Sequence, residues 1–295
     1  MFANDFKGND PRWLFHLFEV TDLSGFNSGS VQPTLNRNYI SQVEVRVPPL
    51  CEQQAIAEVL GTLDDKIAAN TALASTAEQL LRTEMDARWL ERQDRDALLS
   101  DFVDLNPATP KPRDREPLYV DMKKLPETGW SVASADRREA KGGARFQRGD
   151  TLLARITPCL ENRKTGYVDN IADDEVAIGS TEFIVLRARE AIAPPIGFLL
   201  ATEARFREFA IQNMVGTSGR QRVSAADLAR FELPLPDEAW LANFGARAVS
   251  IFAQVESLHA ENRTLATTRD ALLPQLMSGK LRVRDAEATA SAVDA

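Results

Sequence analysis

I-S-Q-V-E-V-R-V-P (Ile40–Pro48) and L-A-R-F-E-L-P-L-P (Leu228–Pro236) are two copies of one pattern, a short alternating strand stopped by proline. One offset of 188 positions pairs Ile40 with Leu228, Val43 with Phe231, Val45 with Leu233, Ile56 with Phe244, Leu63 with Ile251 and Ile67 with Val255. A unit repeated at domain-sized spacing points to two copies of one module, and the residues between them are what that scaffold presents.

A long helix follows each strand. The first is expected from about Leu50 to Glu91, with Pro49 and Glu52 suited to its positive end. Its apolar seam reads Ile56, Leu60, Leu63, Ile67, Asn70, Ala74, Ala77 and Leu81, alternating by four and three as in a coiled coil. At about 1.5 Å per residue such a helix is roughly 60 Å long. The second seam reads Phe244, Ala248, Ile251, Val255, Leu258, Asn262, Leu265, Leu272 and Leu276. Asn70 and Asn262 interrupt these seams, where a polar residue fixes register and pairing at some cost in stability. Pro274 is expected to kink or end the second helix.

Residues Leu98 to Pro236 read as a mixed globular domain, so the fold class is α+β, a globular domain flanked by two long coiled-coil helices. Strands are expected at Leu118–Asp121, Thr151–Ile156, Gly166–Asp169 and Glu182–Leu186. A helix is expected from Pro195 to about Met214, burying Leu199, Phe206 and Phe209, and Ser224 with Asp227 resembles a capped helix start. Near the N-terminus, Trp13–Phe18 is apolar and helical in pattern, too short to bury that surface by itself, and Asn27–Ser30 reads as a loop.

The net charge of −8 is unevenly placed. Residues 97–236 hold 20 basic and 20 acidic residues, so the rest of the chain carries the whole deficit. Between Arg137 and Lys164, Arg137, Arg138, Lys141, Arg145, Arg148, Arg155, Arg163 and Lys164 outnumber Glu139, Asp150 and Glu161. Local sign matters more than net sign for a phosphate contact, although charge alone describes a solvated surface first. Two stretches hold the residue types that read DNA. The first, Gly149 to Lys164, contains Arg155, Thr157, Asn162, Arg163 and Lys164; the second, Gly216 to Arg222, contains Thr217, Ser218, Arg220, Gln221 and Arg222. Arginine suits guanine, Gln or Asn suits adenine, and Lys, Ser and Thr suit phosphate oxygens. Two ordinary surface loops with solvated arginines account for the same composition.

Other chemistry finds little support. Cys51 and Cys159 are too few for a disulfide framework and suit a reducing cytosol. Cys159, beside Ile156 and Leu160, reads as a small packing residue. With only His16 and His259, neither a zinc site nor a catalytic triad assembles. Asp173-Asp174-Glu175 reads as a solvated turn, and Ser278-Gly279-Lys280 lacks the upstream glycine of a phosphate loop. No G-x-G-x-x-G, H-E-x-x-H or nucleophile elbow occurs, and Asn106-Pro107 continues Ala-Thr rather than into the tetrapeptide of adenine methyltransferases. No apolar run spans a bilayer and no secretory leader opens the chain, so a cytoplasmic protein without catalytic residues or bound metal is expected.

Seven motifs in order carry a family resemblance: Val47–Leu60, Leu63–Ile67, Gly149–Asn162, Gly179–Leu186, Arg220–Val223, Phe231–Pro236 and Leu276–Leu281. Together they resemble the specificity subunit of type I restriction–modification systems. The resemblance implies target-recognition domains that each read half of a bipartite site on double-stranded DNA. It also implies two antiparallel helices that set the spacing and dock methyltransferase subunits, with an endonuclease subunit joining them. S-adenosylmethionine, ATP and Mg would belong to those partners. On this resemblance residues 1–40 are the remnant of a first recognition domain and 41–96 the first strand and helix. Residues 97–236 are an intact recognition domain, 237–283 the second helix and 284–295 a disordered tail. Asn27–Leu35 corresponds to Gly216–Val223 but lacks its basic residues. Three readings follow: a truncated subunit, a half-subunit that pairs with a second copy of itself, or a coiled-coil remnant that binds methyltransferase subunits without DNA. The expected DNA contacts are Arg145, Arg148, Arg155, Thr157, Asn162, Arg163, Lys164, Thr217, Ser218, Arg220, Gln221 and Arg222. The expected helix interface is Ile56, Leu60, Leu63, Ile67, Phe244, Ile251, Val255, Leu258, Leu265 and Leu272.

Overall fold

A computed structural model describes residues 5–23, 43–91, 96–132, 136–139, 142–217 and 219–283. The expected loop at Asn27–Ser30, the Ile40 end of the first repeat strand, Lys141, Ser218 and the tail from Arg284 lie outside them. The chain forms two compact units, one of residues 1–72 with 258–295 and one of residues 73–257, so both long helices contribute to each. No helix among the described residues is long and apolar enough to cross a membrane.

In the first unit, α1 (Pro11–Val20) starts on Asp10, whose side chain accepts from the Trp13 N–H. Trp13 is buried with Ile56 and Leu60 of α2 (Leu50–Met85) and Leu272 and Leu276 of the last helix (Glu238–Met277, called α7 once the intervening elements are given). The apolar surface of Trp13–Phe18 is thus only partly covered, because Phe15 and Phe18 on its other side stay exposed. The helices run antiparallel here: Asp64 pairs with Arg269 at 2.8 Å and Asn70 with Asn262 at 3.0 Å, residue numbers falling on one as they rise on the other. Both expected seam asparagines therefore meet, and Asn70 also donates to Glu261 at 2.7 Å.

The first repeat strand is a correction. Val43–Val47 forms no β-pairing among the described residues, and Val45 and Val47 are exposed. A strand needs a partner's backbone groups. Here Arg46 instead reaches the last helix and donates to the Ser278 carbonyl at 3.1 Å, a cation at the negative end of a helix. Ser278-Gly279-Lys280 proves to be that helix's cap. Gly279 has φ +70°, its N–H bonds the Leu276 carbonyl, and the Lys280 N–H bonds that of Gln275. The helix runs through Pro274 and stops three residues later.

The second unit holds the remaining elements. The second repeat strand, β10 (Glu232–Leu233), pairs with β1 (Ala97–Leu98), and the Pro234 carbonyl accepts from the buried Trp89 indole at 2.6 Å. Trp89 lies in a single π-helical turn, Asp86–Leu90, that ends α2. After α3 (Leu99–Phe102), one antiparallel sheet runs β2 (Val103–Leu105), β9 (Phe183–Ala188), β6 (Thr151–Ala154), β7 (Thr165–Tyr167). A mixed sheet runs β4 (Asp136–Arg137), β3 (Leu118–Val120), β8 (Ala177–Gly179), β5 (Ala144–Phe146), with β3 and β8 parallel. Phe146, Leu152, Ala154, Phe183 and Val185 fill the core of this domain. Asn106 is structural, exchanging hydrogen bonds with the Val185 backbone at 2.7 and 2.9 Å.

The helix expected over Pro195–Met214 is two, α4 (Pro194–Ala201) and α5 (Ala204–Gln212). Thr202 Oγ1 donates back to the Phe198 carbonyl while the Glu203 carboxylate caps the Phe206 N–H, so the Thr-Glu pair both stops one helix and starts the next. Phe206 is buried as expected, whereas Phe209 is half-buried. Ser224 caps α6 (Ala225–Leu228).

Within this unit α7 (Glu238–Met277) is anchored by a residue the seam does not contain. Phe252 stacks on Trp130 with centroids 3.9 Å apart and meets Tyr167 edge-on at 4.9 Å. Ile251, the expected seam residue, is half-buried, while Phe244 and Val255 are fully buried. The mixed α/β domain faces α7 with more than a helix stripe, which moves the buried position round by one residue.

Candidate nucleic-acid interface

β6 delivers Arg155, Ile156 and Thr157 to one edge of the domain, and the loop after α5 returns there as a narrow ribbon. Val215 and Arg222 exchange two backbone hydrogen bonds, both 2.9 Å. Gly216 turns the ribbon at φ +136°, where a Cβ would sit 2.9 Å from the Arg220 carbonyl, so a larger residue does not fit. The two expected loops, some sixty positions apart, are joined: the Thr157 N–H donates to the Gln221 carbonyl at 3.1 Å and the Val223 N–H to the Arg155 carbonyl at 3.0 Å. Arg155, Thr157, Thr217, Arg220, Gln221 and Arg222 therefore form one surface.

Their side chains are held to different degrees. Arg222 makes a forked contact with Glu182, Nη2 at 2.7 Å and Nε at 2.9 Å. That hydrogen bond holds the Glu182 carboxyl below its ordinary range and the Arg222 guanidinium above its own. Arg155 Nε lies 3.9 Å from the same carboxylate and is buried without a hydrogen-bond partner. Arg220 is exposed at the ribbon tip with no side-chain partner among the described residues. Val215 beside it is 71% exposed. A cleft of about 700 Å³ adjoins Arg155 and is lined by Asn106, Thr109, Arg145, Thr181 and Phe183. Arg145 is steered into it by donating to the Thr109 carbonyl at 3.0 Å.

The other expected contacts are placed elsewhere. Arg148 is a correction: it is engaged by Glu256 of α7 at 2.7 Å, by Asp173 and by the backbone carbonyls of Asp169 and Ile171. Lys164 is largely covered, donating to the Leu125 carbonyl and pairing with Glu127 at 3.5 Å. Asn162 is exposed on the turn after Pro158, and Arg163 lines a separate cavity. Thr157 Oγ1 contacts Met214 Sδ at 3.9 Å. Asp173 and Glu175 are committed to Arg148 and Arg137, and no cluster that could hold a metal occurs among the described residues. Sequence reasoning missed Glu182 and Val215. Glu182 had a signal, since an acid within Gly179–Leu186 faces a loop rich in arginine. Val215 had none until the ribbon placed it.

Residues 2–79 match the family described as "Type I restriction modification DNA specificity domain". Over 138 residues the chain is 25% identical to the Type I restriction enzyme EcoAI specificity subunit of Escherichia coli, covering 46% of this chain and 23% of that protein. Over 148 residues it is 24% identical to the EcoEI specificity subunit of the same organism, covering 50% and 25%. The matches thus span about a quarter of these relatives' length. The crystal structure of the type I restriction–modification S subunit from M. genitalium shares the fold, with a TM-score of 0.57 and 12% identity over 90% of this chain and 72% of that one.

Proposed function

We propose, from its similarity to type I restriction–modification specificity subunits, that this chain is a DNA sequence-recognition subunit. It would read double-stranded DNA and catalyse nothing itself, directing methyltransferase and endonuclease subunits to a bipartite site. S-adenosylmethionine, ATP and Mg would be bound by those partners. A second copy of the chain would supply the other half of the reading surface.

The observation that carries this reading is the joined surface of Arg155–Thr157 and Val215–Arg222. Glu182 takes the Nε and Nη2 of Arg222 and the Arg220 carbonyl accepts from its Nη1 at 3.3 Å, which fixes the guanidinium and leaves only its remaining Nη hydrogens for the O6/N7 edge of guanine. Arg220 is free at the tip and Thr217 stands beside it. A rigid sheet presenting such loops is how base-reading side chains are commonly held. The test is selection of bound sequences from a random duplex pool by the chain with its methyltransferase subunit. Arg222→Ala is expected to relax preference at one base pair, a loss of about 1–3 kcal/mol in discrimination. Arg220→Ala is expected to weaken all sequences alike if it meets a phosphate, or to relax one position if it meets a base. Unchanged binding and unchanged selection in both variants would refute the surface.

A further inference from the structure

Residue type places Arg163 in the reading loops, yet it lines a different cavity of about 510 Å³ in the same unit. Arg82 of α2 and Arg207 of α5 line that cavity too. The three arginines come from three separate elements and are not equally satisfied. Arg82 is held by Glu78 one turn earlier, at 2.6 and 3.0 Å. Arg163 and Arg207 have no hydrogen-bonded side-chain partner among the described residues. The carboxylates in the cavity make no hydrogen bond to either arginine among the described residues, although the charges of Glu203 and Glu208 favour Arg207. Glu78 is taken by Arg82, Glu203 caps the Phe206 N–H at 2.6 Å, and Glu127 pairs with Lys164 at 3.5 Å. Asp86 also lines the cavity, its carboxyl raised by burial and then by Glu203. Arg207 is held below its ordinary range, chiefly by burial and next by the Arg163 charge. Arg163 is fixed in this position by its backbone: φ is +63°, and its N–H donates to the Leu160 carbonyl at 3.1 Å.

Two guanidiniums that repel one another across a concave, partly enclosed space are stabilised by an anion between them. Their planar forks match tetrahedral oxyanions better than chloride. The cavity is of the size that small ligands occupy. We propose that this cavity is a phosphate-binding site, with Arg163 and Arg207 as its ligands and Arg82 as the supporting charge. The phosphate is either that of a DNA backbone or a free one, and the chemistry is the same. The site is separate from the reading surface and does not depend on the function proposed above.

The test uses the full chain and the variants Arg163→Asn, Arg207→Gln and the pair together. Asn tolerates the positive φ at position 163, and that exposed position keeps the test alive if the helical variant fails to fold. Binding of inorganic phosphate and pyrophosphate is measured by calorimetry and by thermal midpoint, against chloride at matched ionic strength. Binding is expected in the wild type and about tenfold weaker for each arginine removed. In a second arm, the salt dependence of DNA binding is compared. A slope that falls by about 0.9 per lost contact, with sequence preference intact, assigns the phosphate to the DNA backbone, whether or not free phosphate binds. Free-phosphate binding that the variants lose, with an unchanged DNA slope or with no DNA binding at all, assigns the site to a free anion. Phosphate that has no effect, or that acts equally on wild type and variants, together with an unchanged slope, overturns the proposal.

Discussion

Replacing Asp169 by Asn is expected to stabilise the protein at neutral pH and destabilise it in acid. Asp169 is 4% exposed. Its Oδ1 accepts from Ser131 Oγ at 3.1 Å, but its Oδ2 is buried with no partner. Burial first, and the nearby Glu256 charge, push its carboxyl up to about 6 from an ordinary 3.8. Arg148 does not cancel this, because its hydrogen bonds go to the Asp169 and Ile171 carbonyls and to Glu256. The unfolded chain ionises Asp169 near its ordinary value, so the folded state carries a penalty wherever the group is charged. That penalty is absent below about pH 4, grows between about 4 and 6, and is complete above, where it reaches about 3 kcal/mol. Asparagine has no charge to bury. Its Nδ2 would stand where Oδ2 stands now, an unanswered donor costing about 1 kcal/mol. Asp169→Asn should therefore gain about 2 kcal/mol near pH 7.5 and lose about 1 kcal/mol near pH 4. Urea unfolding of both proteins at the two pH values reads this directly. A variant that is less stable at neutral pH would mean Asp169 is ionised and effectively paired, and the reasoning would fail.

Further expectations follow from the helix pair and the proposed reading surface. Asn70→Leu should cost about 1 kcal/mol because it leaves the Asn262 Oδ1 without its donor, whereas Asn70→Leu with Asn262→Leu should recover that loss and loosen the helix register, a coupling that a double-mutant cycle of unfolding energies measures. Glu182→Gln removes the charge that orients Arg222, so competition binding should show a lower ratio of specific to non-specific affinity; an unchanged ratio would mean Glu182 has no orienting role. Val215, exposed at the ribbon, is placed to contact a thymine methyl group. Replacing thymine by uracil at one position of the selected site should weaken the wild type by about 1 kcal/mol and leave Val215→Ser unaffected, as measured by binding titration.

What the sequence reveals, and what it hides, has a physical pattern. Strands at Thr151–Ala154 and Phe183–Ala188 and the two long helices follow from local periodicity, which needs no knowledge of partners. The seam asparagines meet for the same reason: a coiled-coil repeat fixes which residues face each other. Elements that depend on a remote partner escape such a reading. Val43–Val47 has the strand pattern but no strand to pair with among the described residues, while its copy at Glu232–Leu233 has Ala97–Leu98. Phe252 replaces Ile251 as the buried residue because Trp130, more than a hundred positions away, packs there. For the candidate site, residue type picks out two loops that the fold brings together, but not what each side chain meets there. Arg148 and Arg222 look alike in sequence, yet one ties the domain to Glu256 and the other is aimed by Glu182. A charged side chain's task is set by the carboxylate it meets, and that is a tertiary fact.

The central proposal is that this chain gives a partner methyltransferase its sequence specificity. The most direct measurement is long-read mapping of adenine methylation in cells expressing only this chain and its cognate methyltransferase subunit, beside cells expressing the Arg222→Ala variant. The account predicts a methylated, interrupted motif that is symmetric if two copies act together, with one position relaxed in the variant. Soluble chain with no methylated motif would contradict it, and would favour a coiled-coil protein that associates with methyltransferase subunits without reading DNA.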